Sequence, residues 1–86
     1  MSKEIYNAVI DLLEKRGQVP EGSERERREY RYLDAGHLDS FSIIQFVLEI
    51  EELFKITLTP EDTTSDKFRT VNGLIQIVEK KHKTVL

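Results

Sequence analysis

Residues 40–54 read SFSIIQFVLEIEELF, and the spacing of their apolar side chains decides the fold. Ile43, Phe46, Val47, Ile50, Leu53 and Phe54 recur at three- and four-residue intervals, which places them on one helical face turned towards a core. Phe41, Ile44 and Leu48 make a second apolar strip, spaced i, i+3, i+7, on a different face. A helix with a single buried face has no need of that strip. Either the loop before the helix covers it or it stands free for a partner.

Upstream, Ile5, Val9, Leu12 and Leu13 follow the i, i+4, i+7, i+8 pattern and predict a first helix over about residues 2–16, stopped by Gly17 and Pro20. Residues 20–32, PEGSERERREYRY, combine turn formers with dense mixed charge and predict a loop with room for one helical turn. Downstream, Thr57 and Thr59 are poor helix formers and Pro60 suits the first position of a new turn, so residues 60–67 predict a short third helix or an irregular turn. Thr70 is a good N-cap for a last helix carried by Val71, Leu74, Ile75 and Val78, and Lys80, Lys81, His82 and Lys83 suit its C-terminal dipole. Gly73 in the first turn costs a little under about 1 kcal/mol relative to alanine unless close packing needs it. The expectation is an all-α single domain over residues 1–86, a small bundle of three main helices and one short one.

Eighty-six residues leave little room for a deep catalytic cavity, which favours a carrier or adaptor over a self-contained enzyme. Charged residues at 34 % and hydrophobic ones at 38 % suit short amphipathic helices. No apolar run approaches the roughly 20 residues that span a bilayer, and residues 1–17 lack the apolar block of a secretory signal, so a cytoplasmic protein with no membrane insertion is expected. The chain has no cysteine, which excludes disulfides and thiolate metal sites. Any sulfur chemistry must come from a bound or attached cofactor. Two isolated histidines make no metal site, and a calcium loop starting at Asp62 fails because its twelfth position is Gly73.

The formal net charge of −3 is unevenly spread. Residues 39–66 hold seven acids against Lys55 alone, a net of −6. That block repels nucleic acid and steers a partner with a basic patch towards it, although a solvated helix face would look the same. The arginines of residues 24–31 are interleaved with Glu24, Glu26 and Glu29, leaving only +1, which argues against RNA binding.

In the segment Asp34-Ala35-Gly36-His37-Leu38-Asp39-Ser40-Phe41, an acid–serine pair directly precedes the central helix. Ser40 therefore sits at a helix N-terminus, where free N–H groups and the dipole favour a phosphate by about 0.3 to 1 kcal/mol. The plainer reading is that Asp39 or Ser40 is an N-cap. A hydrolase built on Ser40, His37 and Asp39 is disfavoured, because neighbours this close on a turn align poorly as nucleophile, base and orienter, and no Gly-x-Ser-x-Gly elbow is present.

Gly36-x-Leu38-Asp39-Ser40-Phe41, a four-turn helix ending in Glu49-Ile50-Glu51-Glu52-Leu53-Phe54, then Ile56, Leu58 and Pro60, then Thr70-Val71 opening a last helix, resembles the acyl carrier protein family from about Leu33 to Glu79. The resemblance implies an acyl-carrier-like bundle that is itself no enzyme. A phosphopantetheinyl transferase would move 4′-phosphopantetheine from coenzyme A onto Ser40, with Asp39 helping recognition. The arm's thiol would carry an acyl or aminoacyl group, loaded by a ligase and passed to an acyltransferase or synthase, as in fatty acid or polyketide biosynthesis. Phe41, Ile44 and Leu48, with Glu51 and Glu52 as charges, would be the surface those partners read, and the carrier would be a monomer. Gln45, where many fatty-acid carriers have an acid, and Phe41, where leucine is commoner, make the chain more similar to D-alanyl and other specialised stand-alone carriers. Without the arm, the same face would serve an unmodified helical interaction module.

Overall fold

The computed structural model describes residues 2–84, with side chains from Lys3 to His82, so the side chain of Lys83 lies outside the described residues. In chain order the elements are α1 (Ser2–Glu14), α2 (Glu24–Arg28), α3 (Ser40–Phe54), α4 (Pro60–Thr64), a 3₁₀ turn (Asp66–Arg69) and α5 (Val71–Thr84), and no strand occurs among the described residues. The all-α bundle expected from the apolar periodicity is the observed one. Its three long helices meet through Val9 and Leu13 of α1, Phe46 and Ile50 of α3, and Val71, Leu74 and Val78 of α5, all sealed from solvent. Burial of each such side chain contributes about 1.5–3 kcal/mol.

The α3 face departs from its prediction at one end. Phe46 and Ile50 are buried, and Ile43, Val47 and Phe54 pack at the margin of the core, but Leu53 is 54 % exposed. The helix turns about 100° per residue, which carries Leu53 to the edge of the stripe centred on Ile50, beside Leu12, Lys15 and Glu49.

The arginine-rich stretch is far more ordered than a loop needs to be. Ser23 and Glu26 form a reciprocal capping box that starts α2. The Arg28 guanidinium then lies 5.1 Å from the Tyr6 ring centre, donates to Asn72 Oδ1 at 3.1 Å and pairs with Glu24 at 2.9 Å. One side chain thus ties α1, α2 and α5 together. Beyond it, Tyr32 is fully buried between Phe46 and Phe68, and its hydroxyl donates to the Phe68 carbonyl. The tyrosines of this stretch are core and scaffold, which is why an almost aliphatic-free segment holds a fixed path.

Thr59 and Asp62 form a second capping box, with Pro60 at the first helical position, and start α4. Residues 60–67 do not continue as one helix. Ser65 turns extended (ψ 155°), and the chain restarts as the 3₁₀ turn that buries Phe68. Close packing explains Gly73. A Cβ there would stand 2.0 Å from the Lys67 carbonyl oxygen, so α5 and the 3₁₀ turn approach through a space that only hydrogen fits.

Candidate functional site

Ser40 occupies the first position of α3 and is exposed. Its hydroxyl makes no hydrogen bond with any described residue, so its oxygen is open to chemistry from outside. Asp39 is the N-cap. Its extended backbone (ψ 179°) lets Oδ1 accept from the Ser42 N–H at 2.8 Å, and its carbonyl accepts from the Ile43 N–H at 2.9 Å. The Ser42 backbone donor holds the Asp39 carboxyl below the usual carboxylate range. Of the two residues that could have capped the helix, Asp39 does so and Ser40 is left free. The same fact revises the phosphate argument, because the carboxylate already occupies part of the helix N-terminus. A phosphodiester on Ser40 would share that end with a negative charge.

The approach to this pair is fixed by His37. Its Nε2 lies 2.8 Å from the Leu13 carbonyl, which can only accept, so Nε2 carries the hydrogen. Nδ1 of the neutral ring then accepts from the Tyr30 hydroxyl at 2.8 Å. Both nitrogens are engaged, His37 is half-buried, and it anchors the loop to the end of α1 instead of being a solvated loop residue. Neither nitrogen is left to take a proton from Ser40, and the triad geometry weighed for Ser40, His37 and Asp39 is not assembled. Gly36, at φ 73°, supplies the left-handed step that brings the chain round to His37.

Phe41, Ile44 and Leu48 are 68, 60 and 58 % exposed, on the side of α3 opposite Phe46 and Ile50. The preceding loop does not cover them. Beside them runs an open groove of about 350 Å3, with Ile43, Ile44, Val47 and Leu48 on one wall and Leu58 and Pro60 on the other. The groove wall is held by Glu51, whose Oε2 accepts from the Leu58 N–H at 2.7 Å. A hollow of about 320 Å3, lined by Asp62, Lys67, Gln76 and Lys80 among others, shares no residue with α3.

Several acids of the −6 block are used inside the molecule. Glu49 pairs with Arg16 at 2.9 Å and with Lys15 at 3.6 Å, and Asp62 pairs with Lys81 at 2.7 Å. Burial acts to raise the Asp62 carboxyl, but donors from Lys81 and Thr59 outweigh it and leave the group below its usual range. Glu51 is committed to Leu58. Of the two acids expected to meet a partner, Glu52 is the exposed one, with no hydrogen-bond or ion-pair partner among the described residues. The sequence gives little notice of the parts played by His37 and Glu51, since each depends on a backbone group brought close only by folding. The Thr59-x-x-Asp62 box, by contrast, is visible as a capping motif.

Among the described residues, no three His, Asp or Glu side chains gather where a metal ion could be held, and no helix is long and apolar enough to cross a membrane. No family model and no curated protein matches the chain.

Proposed function

We propose that this chain is a carrier whose Ser40 is modified with phosphopantetheine, in the manner of the acyl carrier proteins that residues 33–79 resemble. The observation that carries the reading is the free, exposed Ser40 hydroxyl at the start of α3, next to an uncovered apolar strip. The residues fit the group. Ser40 Oγ is accessible and unbonded, Asp39 stands beside it as a fixed carboxylate, and an apolar groove lies along the same helix. In the transfer, Ser40 Oγ forms the new O–P bond, the pyrophosphate bond of coenzyme A breaks, its adenosine bisphosphate half leaves, and the hydroxyl proton passes to a base of the transferase. The attached arm supplies a thiol that can hold an acyl or aminoacyl group as a thioester. The chain's own residues present it. Asp39 fixes the start of α3, His37 holds the approaching loop, and Phe41, Ile44 and Leu48 offer the contact face.

The partners on this reading are a phosphopantetheinyl transferase, a loading ligase and a receiving acyltransferase or synthase, with the carrier working as a cytoplasmic monomer and doing no catalysis itself. The absence of cysteine makes a clean test. Treatment with coenzyme A and a broad-specificity transferase, followed by desalting, should leave one titratable thiol per chain where there was none. A chain that stays thiol-free with several such transferases would overturn the reading.

A further inference from the structure

Helix α4 buries nothing of its own. None of Pro60–Thr64 is buried, and five residues fall far short of the about 12 at which a helix begins to hold by itself in water. Open space lies on two sides of it. Towards α3 it borders the apolar groove of about 350 Å3, with Pro60 and Thr63 in the wall, and towards α5 it borders the hollow of about 320 Å3, lined by Asp62 and Ser65 with Gln76, Lys80 and Lys81. The packed residues are on its flanks. Leu58 is buried before it and Phe68 after it, and the chain turns extended at Thr59 (ψ 165°) and again at Ser65 (ψ 155°).

The hydrogen bonds of residues 59–65 close on the segment itself, apart from the Ser65 carbonyl, which accepts from the Phe68 N–H at the far flank. Thr59 and Asp62 cap each other, the Thr63 and Thr64 hydroxyls donate to the Pro60 carbonyl, and the Ser65 hydroxyl donates to the Asp62 carbonyl. Among the described residues, one polar contact of this segment reaches another helix. Asp62 Oδ2 meets Lys81 Nζ at 2.7 Å, the two side chains being 22 and 25 % exposed. The same oxygen accepts from the Thr59 N–H at 2.8 Å and its hydroxyl at 2.9 Å, so one atom closes the cap and ties α4 to α5. We infer that residues 59–65 are a hinged flap on the α3 groove and that the Asp62–Lys81 pair is its latch. Swinging at Thr59 and Ser65, the flap takes Pro60 and Thr63 out of the wall and uncovers Ile43 and Val47 from that side. Such a segment opens as a local unit while the bundle stays folded. Burial works against charge on Asp62, but Lys81 and Thr59 hold its carboxyl below the ordinary range, so the latch is ionised at neutral pH. Lys67 and Lys80 line the same hollow, and Glu61 and Asp66 stand exposed along the chain on either side, yet none of these four pairs with Asp62 or Lys81. The inference needs no arm on Ser40, and it stands apart from the carrier reading.

The test is amide exchange on the full-length chain, read at Thr63 and Ser65, whose N–H groups donate to the Thr59 and Asp62 carbonyls. Lys81→Gln should speed exchange at both by about three- to tenfold, as loss of a charged, partly covered hydrogen bond does, and leave Phe68, Ile50 and Val78 within about twofold of wild type. Lys81→Arg keeps the charge and should restore slow exchange. Lys80→Gln removes a charge from the same hollow without touching the pair, and should change Thr63 and Ser65 less than about twofold. The methyl signals of Ile43 and Val47, on the opposite wall, should shift in Lys81→Gln and return in Lys81→Arg. An unchanged rate in Lys81→Gln, an equal acceleration in Lys80→Gln, or an acceleration that spreads to Phe68 and the core would each overturn the inference. So would loosened amides with unmoved Ile43 and Val47 methyl signals, because α4 would then fray without opening the groove.

Discussion

At position 73 only a hydrogen fits. Helix propensity alone makes Gly73→Ala favourable by about 0.8–1 kcal/mol. With Lys67 O at 2.0 Å from the new Cβ, the sign reverses. The substitution should destabilise the fold by about 2–3 kcal/mol, the upper range for overpacking, read as a lower urea midpoint at unchanged slope. His37 carries the same lesson about legibility. Its residue type and place before Asp39 are plain in the sequence, but its two bonds reach Leu13 and Tyr30, contacts that no local pattern announces. Spacing puts Phe41, Ile44 and Leu48 on a second face of the helix that Ser40 begins, but it leaves open whether the preceding loop covers that face, and only the fold shows it exposed. What spacing could not reveal is which neighbouring carboxylates were already engaged.

Among the elements, α3 and the turn after it position everything at the site. The helix ends at Lys55, which adopts a left-handed conformation (φ 56°, ψ 48°) that costs a residue with a Cβ roughly 1 kcal/mol. Lys55→Gly should raise stability by about 0.5 kcal/mol, part of the gain being offset by the more flexible unfolded chain, as measured by denaturant unfolding. Glu51 secures the same turn twice, through its carbonyl to the Ile56 N–H and its carboxylate to the Leu58 N–H. Glu51→Ala leaves the Leu58 amide without that partner, at a cost of about 1–2 kcal/mol. Amide exchange should then speed up at Leu58 with little change at Ile50 in the core. Uniform acceleration would mean that Glu51 supports the whole fold and not this wall. The extents of α1, α3 and α5 follow from apolar periodicity to within about two residues. The arginine-rich segment does not, because its order comes from Arg28, Tyr30 and Tyr32 reaching other elements.

Over the whole molecule, the charge asymmetry of the sequence is partly cancelled in space, since Lys15, Arg16 and Lys81 fold onto Glu49 and Asp62. Glu24, Glu26, Asp39 and Asp62 all sit below their ordinary values of 4.5 for glutamate and 3.8 for aspartate. Carboxyls depressed in the folded state contribute stability that is fully present above the unfolded values and is lost as pH falls through the folded ones. Urea midpoints should therefore match at pH 7 and about pH 5.5 and drop at about pH 3. An unchanged midpoint at the acid end would mean that these four groups contribute nothing. The proposed carrier role requires that folding leave the Ser40 hydroxyl free for a phosphopantetheine arm. Intact mass after co-expression with a broad-specificity transferase reads that requirement without intermediary. Wild-type chain should gain the mass of one arm and Ser40→Ala should gain none while keeping its helical circular dichroism. An unmodified wild-type chain, or a Ser40→Ala chain that is still modified, would contradict it.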